Sequence, residues 1–495
     1  MARLEPLHAR SDGRTPKPAR IAIVGGGISG TLVLLNMVDV ATPGTFIELF
    51  EVRGEVGPGT AYGTREPVHL LNVQAGRMGA LAAKPDDFFR WLKTDLGAMH
   101  CAAHWPGRDV QAIDYVPRAL YAAYLRDLLA NALKKASGAG IDVHITQGRV
   151  EDVSLRGHGS FLSVTSRENG QKRRSRFEAL ILATGNFPPR QPMALGKRSQ
   201  QSQRYVGDVW YPNGESPFPS KIKELTSKST VLVLGTGLTA VDAILTLQAH
   251  GFKGKTIAVS RNGRLPLPHS TEARREWKWV VEPDRVQPTA LALLRWLRGE
   301  AAAATAAGID WRNIFDALRP HTPTLWRKLR MDQRRGLLRR HSLWSIHRHR
   351  MAPEVFAKIE ALRHNGILEV IGGRIRAVRR RFGGFRVQLR RSGAREDEVL
   401  YPSLILNCTG PECDVTAMDE RLWKNLLRKK LVMPSPVRAG ISITANATAA
   451  GKGNSRIFAI GSLLLGDQFE CTAVPELREQ AHRIAVEAAA LTQML

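Results

Sequence analysis

Cysteine is scarce in this chain. Its four cysteines in 495 residues, Cys101, Cys408, Cys413 and Cys471, are too few and too scattered for a disulfide framework or a zinc site, and no metal is expected. Long apolar runs are missing too: none reaches the roughly 18 residues of a membrane-spanning helix. The opening MARLEPLHARSDGRTPKPAR is basic without the apolar core of a signal peptide. The expectation is a cytoplasmic protein without a membrane partner, carrying a flexible basic arm over residues 1–19. Acid is in deficit, 45 Asp+Glu against 72 Lys+Arg, for a net charge of +27. Such a field draws anions of every kind, from dinucleotide phosphates to carboxylates and nucleic acid, and does not choose among them. With 43% apolar residues the chain is not disordered, and its length suits two or three domains.

What is present is a strand, a glycine turn and a helix, written twice. In IAIVGGGISG, residues 21–30, an apolar strand meets Gly25, Gly27 and Gly30 in the pattern G-x-G-x-x-G. Gly25 permits the tight turn, Gly27 lets backbone approach a pyrophosphate, and Gly30 allows the helix to pack close to the strand. A second strand, FIELFE, ends in Glu51, 21 residues after Gly30. A carboxylate there accepts from an adenosine ribose and repels a 2′-phosphate, which predicts FAD or NAD rather than NADP.

VLVLGTGLTA, residues 231–240, repeats the unit with Gly235, Gly237 and Ala240. Here the acid is missing: the next strand, KTIAVS, ends at Ser260 and Arg261, with Arg264 close behind. That set suits a 2′-phosphate, so the second turn is read as an NADPH site. Two dinucleotide folds in one chain point to hydride transfer between their ligands.

Further strand ends carry small residues: Thr184 and Gly185 in LILATGNFPP, Thr409 and Gly410 in LILNCTGP, and Gly461 in RIFAIG. Thr472 and Ala473 then lead into a last helix whose N-terminus would stabilise a reduced, anionic flavin. These landmarks predict an α/β protein of two Rossmann-like folds, the NADPH domain inserted in the FAD domain. The expected boundaries are 20–190 and 400–495 for the FAD domain and 225–395 for the NADPH domain with a basic helical elaboration. Cys408 and Cys413 in CTGPEC have the spacing of a redox dithiol, but they follow a late strand instead of the first nucleotide fold, so packing and loop roles are expected.

Taken together, IAIVGGGISG, GPGTAYGTREPVHLLNVQAGRMGA, DDFFRWL, YVPRALYAAYL, LILATGNFPP, VLVLGTGLTAVD, SRNGRLPLPH, LWSIHRHRMAP, LILNCTGP and TAVPELREQA span residues 21–481. In them the chain resembles the two-dinucleotide FAD/NAD(P)-binding oxidoreductases that are distantly similar to class B flavin monooxygenases and amine N-hydroxylases. Gln74 and Gly79 stand where that pattern tends to have Pro and Ser. The resemblance implies an FAD-dependent enzyme reduced by NADPH, in which O2 reacts at flavin C4a and the resulting hydroperoxide oxygenates a small amine, amino acid or other nucleophile, an anionic one included. A reductase without oxygen insertion is the rival enzyme. In the loop AYGTREPVHLLNVQAGRM, Asn72 and Gln74 are candidates to bond the flavin edge, and His69 and Arg77 to orient substrate.

Residues 322–350 carry nine Lys+Arg and one Asp, with Trp326 and Trp344 interleaved. A flavoprotein that binds an anionic ligand or nucleic acid with negligible turnover is therefore a third reading. No nucleic-acid module frames the segment, however, and Leu325, Leu329, Leu337 and Leu338 suggest helices with a packed face.

Overall fold

The computed structural model describes residues 19–210, 218–272, 275–444, 447–452 and 456–493. All but Ala19 of the expected basic arm lies outside the described residues.

The first apolar run forms strand Arg20–Val24, the centre of a five-stranded parallel sheet. Across the sheet the order is Ile457–Ala459, Ala179–Leu182, Arg20–Val24, Phe46–Glu51 and Asp142–Gln147. Alternation along the strand sorts its side chains to two faces. Ile21 and Ile23 face helices Ile28–Val40, Arg118–Gly138 and Val474–Gln493, packing with Leu32, Tyr121 and Ile484. Ala22 and Val24 face a three-stranded antiparallel sheet over 149–177 and helix Arg421–Arg428, whose Trp423 is fully buried.

The second sheet has seven strands: Glu398–Leu400, Gly384–Arg391, Leu368–Arg381, Lys255–Ser260, Thr230–Leu234, Leu404–Asn407 and Tyr205–Val206. The first three pair antiparallel with one another, and from the third strand onward the pairings are parallel. Phe385, Val387 and Leu389 are fully buried on the inner side of the hairpin while Arg390 is exposed, as the alternation of that stretch requires. One expected boundary is corrected. Expected in the returning FAD domain, Leu404–Asn407 instead pairs in register with Thr230–Leu234, so the chain rejoins the first sheet only at Ile457–Ala459.

Between Lys255–Ser260 and helix Pro353–His364 the chain makes the helices Ala290–Ala306, Arg312–Leu318, Thr322–Lys328, Met331–Arg339 and His341–Arg348. Trp326 and Leu329 are buried against Phe469, with Leu337, Leu338 and Trp344 packed around them. The tryptophans of the basic segment are therefore packing residues, because an amphipathic helix short of partners within its own sheet buries its apolar stripe on the neighbouring fold.

Candidate nucleotide sites and the cleft between them

At the first turn Gly25 has φ +107°, and a Cβ there would stand 2.3 Å from the Ala183 carbonyl oxygen. A Cβ on Gly30 would meet the Gly25 carbonyl at 1.8 Å, which is the close helix-to-strand contact expected of the third glycine. Gly27 lies against Gly59, with backbone alone lining that approach. The Glu51 carboxylate accepts from Gly26 N at 2.7 Å and from Arg53 N at 2.8 Å. It is thereby fixed at the mouth of the turn. Helix Ile28–Val40 has no side-chain cap, so its first N–H groups are left for an anion. Thr184 Oγ1 is buried without a partner among the described residues. Ser462 Oγ donates to Gly185 O at 2.7 Å, joining two strand ends, and Gly461 N donates to Gln480 Oε1 at 2.9 Å. These groups fit a dinucleotide whose pyrophosphate rests on the glycine turn and whose ribose reaches Glu51.

The second turn repeats the construction. Gly235 has φ +109° and its Cβ would stand 2.2 Å from the Cys408 carbonyl, whereas a Cβ on Gly237 would meet nothing within 4 Å. Ala240 is fully buried where the first turn has Gly30. Helix Leu238–Ala249 also lacks a side-chain cap. Ser260 Oγ accepts from Thr236 Oγ1 at 2.9 Å and from Gly263 N at 3.1 Å, shaping the loop that presents the exposed Arg261 and Arg264. Thr409 Oγ1 donates to Asn407 Oδ1 at 2.8 Å, and Gly410 turns away with φ +89°.

The second turn opens toward a cleft of about 1810 Å³, well above the roughly 300–1,000 Å³ of a single small-molecule pocket, and the first fold reaches that cleft through Tyr62, Asn186 and Ser462. Gly235, Gly237, Ser260, Arg261 and Arg264 line its second-fold wall; Thr409, Gly410, Thr472 and Ala473 line another. Asn72, Gln74 and Arg77 reach it from the long loop, which is pinned by Ala75 N to Asp114 O at 2.9 Å and Gly76 N to Ala112 O at 2.8 Å. Gly79 follows where the backbone is crowded: its Cβ would stand 2.3 Å from Lys84 O, so serine would not fit there. Thr472 makes no side-chain hydrogen bond among the described residues, so its hydroxyl does not cap the last helix.

His69 does not reach the cleft. It is 4% exposed, Nε2 donating to Asp242 O at 3.1 Å and close to Thr246 Oγ1 at 2.9 Å, while Nδ1 meets Thr64 Oγ1 at 2.8 Å. Helix Leu238–Ala249 of the second fold lies over it, so its expected role with substrate is replaced by a tie between the folds.

Sequence reasoning missed a charged set on the remaining wall. His269 Nε2 donates to the Asn72 carbonyl at 2.9 Å and the ring packs on Tyr115; burial, with Arg350 nearby, lowers its pKa to about 4. Arg350, 2% exposed, bonds Asp316 at 2.5 Å. Arg348 bonds Glu470 at 2.9 Å, and Arg319 grips Glu476 with both nitrogens. The signal was the SRNGRLPLPH and LWSIHRHRMAP stretches, which carry His269, Arg348 and Arg350. The thiols support no dithiol chemistry: Cys408 is buried and pushed far up by desolvation, and Cys413 is raised to about 11. Neither supplies a thiolate near neutral pH.

Residues 22–187 match the FAD-NAD(P)-binding family. The first nucleotide fold is an FAD-NAD(P)-binding domain. No curated protein sequence matches the chain. Among solved structures it is similar to the reduced ornithine hydroxylase of Pseudomonas aeruginosa, at 13% identity and a TM-score of 0.63 over 96% of this chain and 99% of that one. L-lysine 6-monooxygenase from Pseudomonas syringae matches at 16% identity and TM-score 0.63, with the same coverage of both chains. The bacillithiol disulfide reductase of Bacillus cereus matches at 13% and 0.53, covering 96% and 99%. At these identities the likeness shows the fold, an α/β arrangement of two dinucleotide-binding domains. Among the described residues no helix is long and apolar enough to cross a membrane, and no three metal-ligating side chains gather.

Proposed function

We propose that the protein is an FAD-dependent oxidoreductase that takes hydride from NADPH and oxygenates a small amine, amino acid or other nucleophile with O2. One observation carries this reading: two uncapped glycine turns stand in one chain, and a single large cleft is lined by the second turn together with Asn72, Gln74, Asn186 and Ser462 of the first fold. FAD, when bound, supplies both hydride acceptance and reaction with O2; the chain's own residues position the ligands and exclude water. Gly25, Gly27, Gly30 and Glu51 hold FAD, with Thr184, Gly185 and Gly461 at the strand ends beside it. Gly235, Gly237, Ser260, Arg261 and Arg264 hold NADPH. Asn72 and Gln74 line the cleft in which the reacting rings would lie, and Asn72 is held by His269 through its carbonyl. Arg77, together with the Arg348–Glu470 and Arg350–Asp316 pairs, forms a polar wall suited to a small charged substrate.

The hydroxylase and 6-monooxygenase likenesses support oxygenation over simple reduction. The tryptophans of the basic segment, buried or hydrogen-bonded as Trp344 Nε1 is to Glu470 at 3.2 Å, are not presented for stacking on bases. The test is anaerobic mixing of the FAD-loaded protein with NADPH, followed by O2 and a panel of amines and amino acids. Loss of oxidised-flavin absorbance on mixing, then substrate-dependent O2 uptake with an oxygenated product, is expected. An unreduced flavin would sink the hydride-transfer reading, and reoxidation without product across the panel would favour the reductase.

A further inference from the structure

Beside the main cleft lies a smaller pocket of about 520 Å³ whose lining contains no carboxylate. Three separate parts of the chain supply its guanidinium groups: Arg261 after the second strand of the NADPH fold, Arg374 and Arg376 on the long strand Leu368–Arg381, and Arg339 and Arg340 from the inserted helices. Arg390 and Arg391 also line it, but each is spent on a carboxylate, Asp397 at 2.6 Å and Glu398 at 2.9 Å. The other five make no ion pair among the described residues.

Unpaired guanidinium groups crowded into one pocket repel each other, and the arrangement is stabilised by an anion placed between them. The backbone is shaped for this convergence. Gly263, at φ +59°, would put a Cβ 2.4 Å from Gly372 N, so the Arg261 loop and the strand carrying Arg374 touch through backbone alone. Ser392 Oγ donates to Arg261 O at 3.3 Å, and Asn262 Nδ2 reaches Ser342 Oγ at 3.4 Å, which ties the loop to the inserted helices. The pocket shares Arg261, Asn262, Ser342 and Arg374 with the main cleft and is continuous with it. Arg264 lines the main cleft alone.

We propose that this pocket takes the 2′-phosphate of the coenzyme, with Arg374 of the sheet and Arg339 and Arg340 of the inserted helices as specificity-determining residues alongside Arg261. The inference rests on the NADPH reading of the second fold and adds what that reading lacked: the basic elaboration is part of the coenzyme site. Arg339 and Arg340 of its helices would stand at the adenosine end of the nucleotide.

The experiment titrates the full-length, FAD-loaded protein by calorimetry with 2′,5′-ADP, which carries the 2′-phosphate, and with 5′-AMP, which lacks it. The expected result is a clear preference for 2′,5′-ADP that falls about tenfold in Arg374→Ala and again in Arg339→Ala/Arg340→Ala, with 5′-AMP affinity unchanged. These side chains are exposed, so the variants should fold; Arg374→Lys, which keeps the charge and loses the fork, should recover only part of the preference. A wild-type preference that survives all of these changes, or that is lost on Arg264→Ala alone, overturns the proposal. Equal binding of the two nucleotides overturns it while leaving the nucleotide fold standing; binding of neither overturns the coenzyme reading itself.

Discussion

Arg118 and Asp242 meet across the junction of the two nucleotide folds, Nη2 to Oδ2 at 2.8 Å, with side chains only 14% and 10% exposed. Arg118 opens helix Arg118–Gly138 of the first fold, and Asp242 lies in helix Leu238–Ala249 of the second. The same residue, Asp242, offers its carbonyl to His69. One helical turn of the second fold therefore carries two polar ties to the first.

A buried pair broken on one side leaves a charge with no partner. Asp242→Asn should destabilise the protein by about 3 kcal/mol in denaturant titration. The double variant Arg118→Met/Asp242→Leu should recover a large part of that loss, since it strands no charge. Equal stability of the single variant and the parent would show that the pair carries no such weight.

The two glycines of the second turn should separate folding from binding. Gly235→Ala places a Cβ against the Cys408 carbonyl at positive φ and should cost about 3 kcal/mol of stability. Gly237→Ala meets nothing in the protein, so its melting temperature should match the parent while NADPH binding drops at least tenfold, because the methyl group occupies the backbone approach to the pyrophosphate. Thermal melts and NADPH titration of both variants decide it; unchanged coenzyme affinity in Gly237→Ala would argue against a pyrophosphate there.

Acid should destabilise the fold through buried histidines. The folded-state pKa of His269 is lowered to about 4 and that of His349 to about 3, both chiefly by burial. The ordinary value is about 6.5, so unfolded chains take up protons that the folded protein refuses. Stability from these groups is complete above pH 6.5 and is lost as pH falls toward 4, at about 1.4 kcal/mol per pH unit for each histidine. His269→Gln should reduce that slope by about one proton between pH 6 and 4.5; an unaltered slope would remove His269 from the account.

Glu51 should govern flavin retention. Its carboxylate is already held by two backbone N–H groups at the mouth of the first turn, ready for a ribose. Glu51→Ala should lower the FAD content of purified protein at least tenfold and leave the affinity for 2′,5′-ADP at the second fold unchanged. Full flavin content in that variant would contradict the ribose contact.

Both strand-to-turn units were legible because their signal is local: an apolar run, a glycine that must take positive φ, and a helix without a capping side chain. The loop holding Asn72 and Gln74 was legible as a loop over the cleft. Partner choice was not. Leu404–Asn407 is a buried apolar strand that reads the same in either sheet, and its pairing with Thr230–Leu234 spans about 170 residues of sequence. His69 misled for a related reason, since nothing near it in sequence announces that helix Leu238–Ala249 covers it. Arg374 carries no local signal in sequence, and only the meeting of three distant segments singles it out.

The inserted helices leave the second fold but are fastened to the first. Trp326 Nε1 donates to Gly466 O at 2.8 Å, its ring stacks on Phe469 at 4.4 Å, and Arg319 holds Glu476 at the start of the last helix. With Arg118 and Asp242 bonded on another side, a swivel of one domain over the other would have to break buried polar contacts at both places together. A coenzyme, when bound, would meet a frame held at two places, without a hinge between the domains.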